Sequence, residues 1–414
     1  MTGTAMRVAL YGNVANGLFQ TARALREIAG IDAHLFLDAR DGPTTRPESD
    51  DPSLADAYPD WIHLGRYVTP SSLAMPWASR LVRELREFDL LLISGFGPVF
   101  AQFTGRPWCF YTSGGDLTVT PFPLRFWRVG PSLKARLGLL AIGPWQRRGV
   151  RRATEIWTQP FPPFRTALGR LRIDARQIAD VYLPIALDVN AFSRDDGPPS
   201  PQLAALRART DFLVLHPSRL VLGDDPLLRE TGEWKANDRL IRGFARFAAA
   251  RPQLRPLLVM PDRSESPDVA PAKALIAELG LERSVCWLTP PDARGFKRSE
   301  LKDLYAIADV VADDFGIGWF GAVVLEALAM RVPVVSYVDE TIMSQLYPWH
   351  PICVARDPAE ICAALERLAD DPRERRRLGA GGRAWVREFH SHEALAGRFA
   401  AEVERVLRDA AGRH

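Results

Sequence analysis

Cysteine is scarce in this sequence. Its 414 residues hold four, Cys109, Cys286, Cys353 and Cys362, and no two form a CxxC pair. Cys109, Cys286 and Cys353 sit inside apolar strand-like runs, where a cysteine behaves as a small hydrophobe. A disulfide framework or a zinc site is therefore not expected, and a reducing, cytoplasmic location is. Long apolar runs are also missing: no stretch reaches the roughly 18 residues a membrane-spanning helix needs. The first six residues are polar and lead straight into a strand-like run, so no secretory leader is expected. Charge of one sign is lacking too. The 53 Lys and Arg against 50 Asp and Glu leave a formal +3, too little to mark a nucleic-acid binder, and no nucleic-acid partner is expected.

What the chain does have is a steady alternation of short apolar runs with helical apolar spacing. Strands are expected at 7–11, 33–37, 90–94, 108–111, 155–158 and 181–183, with helices such as 18–28 and 79–87 between them. Residues 193–201 (SRDDGPPSP) interrupt the series as a Pro/Gly/Ser/Asp-rich linker. The alternation then restarts, with strands expected at 212–216, 256–260, 284–288, 309–312, 333–338 and 352–354 and helices at 237–249, 270–279, 299–307 and 322–329. Such a strand–helix rhythm is that of an α/β fold with mostly parallel sheets. The expected organisation is an N-terminal Rossmann-like domain at 1–192, the linker 193–201, a C-terminal Rossmann-like domain at 202–390, and a C-terminal helix at 391–414 packing back on the first domain. In such folds ligands sit at the carboxyl ends of the strands, so both halves are expected to present loops to a central cleft.

The most informative stretch is 313–335, DDFGIGWFGAVVLEALAMRVPVV. A strand ends, the chain passes Asp314, Gly316, Gly318 and Gly321, and a helix begins. Glycines let backbone approach a ligand closely, and a helix start directs free amides and the positive dipole end at an anion. Phe320, Gly321 and Ala322 are thus placed to hold a phosphate, and Glu326, one turn on, can accept the two hydroxyls of a ribose.

Here the sequence resembles the retaining family 4 glycosyltransferases, also described as glycosyl transferases group 1, whose pattern F-G-x-x-x-x-E-A-x-A-x-x-x-P-V-V is met by Phe320, Gly321, Glu326, Ala327, Ala329, Pro333, Val334 and Val335. The resemblance implies GT-B architecture: two Rossmann-like doubly wound parallel-sheet domains facing a central cleft. It assigns Glu326 to the nucleotide ribose. The family often carries a second Glu eight residues earlier, against the donor sugar; that position is Gly318, so either Asp313 and Asp314 take its place or sugar recognition differs. Arg219, after the strand-like 212–216, and Lys235, before the next helix, match the family's pair of cations facing the donor diphosphate, where two cations can neutralise the departing group without a metal. His216 is placed to line the same site.

In the N-terminal half, Gly12, Asn13, Asn16 and Gly17 (GNVANG) resemble the family's turn that meets donor phosphates or acceptor. The middle glycine of GxGxxG is missing, although Asp38 leaves an NAD reading open. Asp116, in SGGDLTVT, stands where relatives carry a His or His–Asp and is a candidate to orient the acceptor hydroxyl or take its proton. Residues 121–152 hold eight Lys and Arg, no acidic residue, and interleaved Phe, Trp and Leu, which suits an anionic membrane surface. The function expected is metal-independent, retaining transfer of a sugar from a nucleoside diphosphate sugar to a saccharide or lipid-linked glycan, in cell-surface polysaccharide or glycoconjugate synthesis, with no cofactor beyond the donor. A sugar-nucleotide epimerase and a catalytically inactive sugar-nucleotide binder are the alternatives.

Overall fold

The computed structural model describes residues 6–412 except 43–44, 128–131, 194–198, 264–265 and 292–294. Most of the linker at 193–201, and Arg128 of the basic stretch, lie outside the described residues. The chain divides into two compact units. The first comprises Met1–Ala186, Glu230–Gly232 and His392–His414; the second comprises Leu187–Arg229 and Glu233–Ser391.

The first unit is built on a six-stranded parallel sheet in the order β3-β2-β1-β4-β5-β6. Its strands are β1 Arg7–Tyr11, β2 Asp32–Asp38, β3 Ile62–Gly65, β4 Leu90–Ile93, β5 Trp108–Tyr111 and β6 Glu155–Trp157. Every residue of β4 (LLLI) is buried, as expected of a strand covered by helices on both faces. Helix Gly17–Glu27 buries Leu18, Phe19, Ala22 and Leu25. Helix His392–Ala411 contributes Leu395, Phe399, Val403 and Val406, spaced four, four and three apart, to the same core. Each such buried Leu or Phe is worth about 1.5–3 kcal/mol. The turn after β1 needs Gly12: its φ is +96°, and a Cβ there would stand 2.1 Å from the Ser94 carbonyl oxygen at the end of β4.

The second unit repeats the topology with unrelated sequence. Its order is β12-β11-β10-β7-β8-β9, again all parallel. The strands are β7 Phe212–Leu215, β8 Pro256–Pro261, β9 Val285–Leu288, β10 Val310–Ala312, β11 Val334–Ser336 and β12 Cys353–Val354. In both sheets the first and fourth strands lie side by side and the winding reverses there, β1 beside β4 and β7 beside β10. Loops leaving the carboxyl ends of those two strands diverge and open a crevice, the usual ligand position in this fold.

One expected strand fails and one strand was not foreseen. Residues 181–183 form no strand; Ile178 makes an isolated bridge to Ile156 instead. β3 went unread because IHLG is short, with His63 and Leu64 only partly covered.

Candidate active site

The second unit gathers its candidates at the β7–β10 switch point. Helix Asn237–Ala250 and the turn after β10 are stitched together by backbone: Phe315 N donates to the Lys235 carbonyl at 2.9 Å. Gly316 lies so close to Trp234 that a Cβ would sit 2.5 Å from the Trp234 carbonyl oxygen. This contact brings Lys235 to Asp314, with 3.2 Å between Nζ and Oδ2. Burial alone would lower the Lys235 ammonium, but Asp313 and Asp314 outweigh it and hold the group above its ordinary value, so it is cationic at neutral pH. Arg219 follows β7, pairs with Glu233, and is close enough to act electrostatically on Lys235. Arg219 and Lys235 are thus brought together, each already facing a carboxylate.

The remaining expected residues around this point have more structural parts than the sequence suggested. Asp314 is buried; its Oδ1 accepts from the amides of Gly316 and Ile317 at 2.9 and 3.2 Å while Oδ2 meets Lys235. It holds the turn and the lysine, and presents no free edge for a sugar. Burial, opposed by Lys235, keeps its carboxyl above the usual range. Gly318 is left-handed at φ +76°, and a Cβ there would come 3.1 Å from the Tyr337 ring. A glutamate at this position would be strained, which is the physical counterpart of the departure from the family pattern. Phe320 is not a ligand-facing ring: it is buried against Trp319, Trp385 and His390 and anchors the turn. After it, Gly321 is exposed and begins helix Ala322–Ala329 with no side-chain cap.

His216 is fully buried, and its Nδ1 lies 2.8 Å from the Ala312 carbonyl. A carbonyl only accepts, so Nδ1 carries the proton and Nε2 is a bare acceptor; it has no hydrogen-bond partner among the described residues. Burial lowers the imidazole well below its ordinary value, and it is neutral. Glu326 is the largest correction. The carboxylate expected to be free for a ribose is 2% exposed. Its Oε1 accepts from Arg298 Nε at 2.7 Å and its Oε2 from the Tyr305 hydroxyl at 3.0 Å. Neither partner was singled out from the sequence, where Tyr305 read as an ordinary position of the helix expected at 299–307 and Arg298 lay just before it.

In the first unit the geometry corrects three expectations. Asn13 Nδ2 donates to Asn16 Oδ1 and the Thr45 carbonyl, and Asn13 Oδ1 accepts from Phe19 N. Asn16 donates to the Arg46 carbonyl, Ser49 and Asp50. Both side chains are buried and tie the loop at 45–50 to the turn, so a ligand meeting Gly12–Gly17 finds backbone and the exposed Val14 and Ala15 rather than the asparagine amides. Asp116 is buried as well: its oxygens accept from the amides of Gly95, Ser113 and Gly114 at 2.9–3.2 Å and from the Ser113 hydroxyl at 2.9 Å. Burial raises its carboxyl while these donors pull the other way. With both oxygens engaged it anchors the β4 and β5 loops instead of offering a base. Gln146, not foreseen, completes the anchor by donating to the Gly95 and Asp116 carbonyls. Asp38 accepts from the amides of Arg40, Tyr67 and Val68, which takes away the residue that kept an NAD reading open.

Comparison with known proteins bears on the family and the fold. The family model described as glycosyl transferases group 1 matches residues 228–385. A D-inositol 3-phosphate glycosyltransferase of Stackebrandtia nassauensis is 30% identical over 217 residues, 50% of this chain and 46% of that protein. An MMP alpha-(1->4)-mannosyltransferase of Mycolicibacterium hassiacum is 25% identical over 295 residues, 70% of this chain and 63% of that protein. The chain thus spans from about half to somewhat under two thirds of these relatives. Among solved structures, Anabaena Alr3699/HepE in complex with UDP and glucose superposes with a TM-score of 0.65 at 18% identity, over 96% of this chain and 99% of that one. At that identity the likeness speaks for the fold. Residues 228–385 of this chain thus match the glycosyl transferases group 1 family model, and the two doubly wound sheets have the fold of GT-B structures.

Proposed function

We propose that this chain is a retaining glycosyltransferase that moves a sugar from a nucleoside diphosphate sugar to a saccharide or lipid-linked glycan. The observation that carries the proposal is the Arg219–Lys235 pair at the β7–β10 switch point, on the loop system that leads to the uncapped start of helix Ala322–Ala329. Cations and free amides so placed suit a diphosphate whose negative charge grows as the sugar leaves. In this reaction the bond from the anomeric carbon to the phosphate oxygen breaks and a bond to the acceptor oxygen forms on the same face. With Asp116 engaged as an anchor, the acceptor proton passes to the departing phosphate oxygen. No metal is needed when Arg and Lys carry the charge. The names of the two relatives, a glycosyltransferase and a mannosyltransferase, and the UDP in the Anabaena structure support the same reading. A place in cell-surface polysaccharide or glycoconjugate synthesis is part of the proposal.

Thermal-shift screening against UDP-, GDP- and ADP-sugars and NAD tests it. One sugar-nucleotide class is expected to stabilise the protein, and incubation with that donor alone is expected to release free sugar slowly together with the nucleoside diphosphate. Stabilisation by NAD alone would end the reading. An epimerised donor with no release would favour the epimerase, and tight binding with no product an inactive binder.

The proposal extends to a peripheral membrane contact through 121–152. Among the described residues no helix is long and apolar enough to cross a membrane. Helix Leu133–Val150 leaves Leu133, Lys134 and Leu137 exposed, with Leu124 just before it, while Phe126 and Ile142 turn inward. Pro144, Arg147, Arg148, Arg151 and Arg152 line a cavity of about 340 Å³ on this element. Each cation near an anionic surface adds about 1 kcal/mol. The protein is expected to sediment with phosphatidylglycerol vesicles at low salt and to be released by high salt. Equal sedimentation with neutral phosphatidylcholine vesicles would remove the electrostatic contact.

A further inference from the structure

We propose that Arg263, which follows β8, is a third cationic contact for the donor diphosphate beside Arg219 and Lys235, a proposal that rests on the nucleotide-sugar reading above. Its place comes from the sheet. The order β10-β7-β8 puts the loop after β8 next to the loop after β7, so residues leaving these carboxyl ends share one edge. Two residues of the switch point sense Arg263 electrostatically: Arg219, which lowers it, and His216, which it lowers.

None of the carboxylates nearby forms an ion pair with Arg263 among the described residues. Glu233 pairs with Arg219, Asp314 with Lys235, and Asp262, the immediate neighbour, with Lys273 through Oδ2 at 2.8 Å, its buried Oδ1 having no hydrogen-bond partner among the described residues. Asp313 takes the Ser218 hydroxyl, and Asp268 the Leu222 amide. Among the described residues Arg263 makes no ion pair, and its buried Nε has no hydrogen-bond partner. Yet the guanidinium is not loose. It packs on Gly295, where a Cβ would stand 2.4 Å from Nη2, so the glycine there makes the room it occupies. Burial and the like charge of Arg219 both disfavour its cationic form.

A half-buried cation held by packing beside a second cation, without a counter-ion, is costly in the empty protein. A phosphate removes that cost, and the planar guanidinium fork matches its oxygens. The two cations legible in the sequence are each matched by a carboxylate; Arg263 supplies the surplus charge that a diphosphate needs.

Arg263→Gln and Arg263→Lys test this, with calorimetric titration of UDP, GDP and ADP first identifying the diphosphate that binds. For Arg263→Gln the affinity for that diphosphate is expected to fall about ten- to hundredfold. The monophosphate is expected to lose less and the free nucleoside nothing, while Arg263→Lys recovers part of the loss. The thermal midpoint of unliganded Arg263→Gln is expected to equal or exceed that of wild type, because an uncompensated charge has been removed. Unchanged diphosphate affinity overturns the proposal. So does a lowered unliganded midpoint with equal losses for nucleoside and diphosphate, which would make Arg263 a packing residue. If wild type binds none of the three diphosphates, the nucleotide reading itself fails and takes this proposal with it.

Discussion

Replacing Lys235 with alanine is expected to lower sugar transfer about a hundred- to thousandfold, the usual effect of removing one preorganised charge from a developing anion. The loss is expected mainly in kcat, because the charge on the leaving diphosphate is larger in the transition state than in the bound donor. The fold should survive. Asp314 loses its cation but keeps the amides of Gly316 and Ile317 as donors, and burial already favours its protonated form. Thermal denaturation checks that point independently of activity. Lys235→Arg keeps the charge and is expected to retain more activity than Lys235→Ala. Transfer within threefold of wild type in Lys235→Ala would remove the lysine from the reaction.

Glu326→Ala is expected to destabilise the second unit by about 3–5 kcal/mol, the cost of breaking a buried ion pair from one side. Arg298, 11% exposed in the intact pair, would lose its Glu326 carboxylate, and the fully buried Tyr305 would lose its hydrogen bond to Glu326 Oε2. Chemical denaturation measures this, and a loss below about 1 kcal/mol would mean that the network is not structural. The milder Glu326→Gln keeps shape and an acceptor for Tyr305, and it separates scaffold from ligand contact. Equal loss of affinity for UDP and 2′-deoxy-UDP is the result of a scaffold role. Loss confined to the ribose form would restore the contact that the family resemblance implies.

Much of the fold was legible because its signals are local. Apolar runs such as LLLIS at 90–94 and PLLVM at 256–260 read as strands of a parallel sheet, and the helix at 322–329 was placed at its observed bounds because FGAVVLEALA combines a glycine turn with an apolar helix. The strand at 62–65 was not legible, since IHLG holds only two apolar side chains, separated by a His and followed by a Gly. Among site residues, Arg219 and Lys235 were named through the family resemblance, and both stand at the β7–β10 switch point. Arg263 was missed although it lies two residues past the end of β8, a position that the carboxyl-end rule for doubly wound sheets would have flagged. Arg298 and Tyr305 had no signal of their own, because each meets Glu326 only through packing from a different helix.

The sequence by itself determined the alternation of strand and helix, the glycines that specific turns require, and which residues leave the strand ends, because these depend on side-chain periodicity and backbone freedom within a few residues. Only the tertiary structure decided which polar side chains stay available. Asn13, Asn16, Asp116, Asp314 and Glu326 all looked like ligand contacts in one dimension, and each is engaged by donors brought in by the packing. A carboxylate or amide has few bonding positions, and whether neighbours from distant segments fill them is settled by the fold.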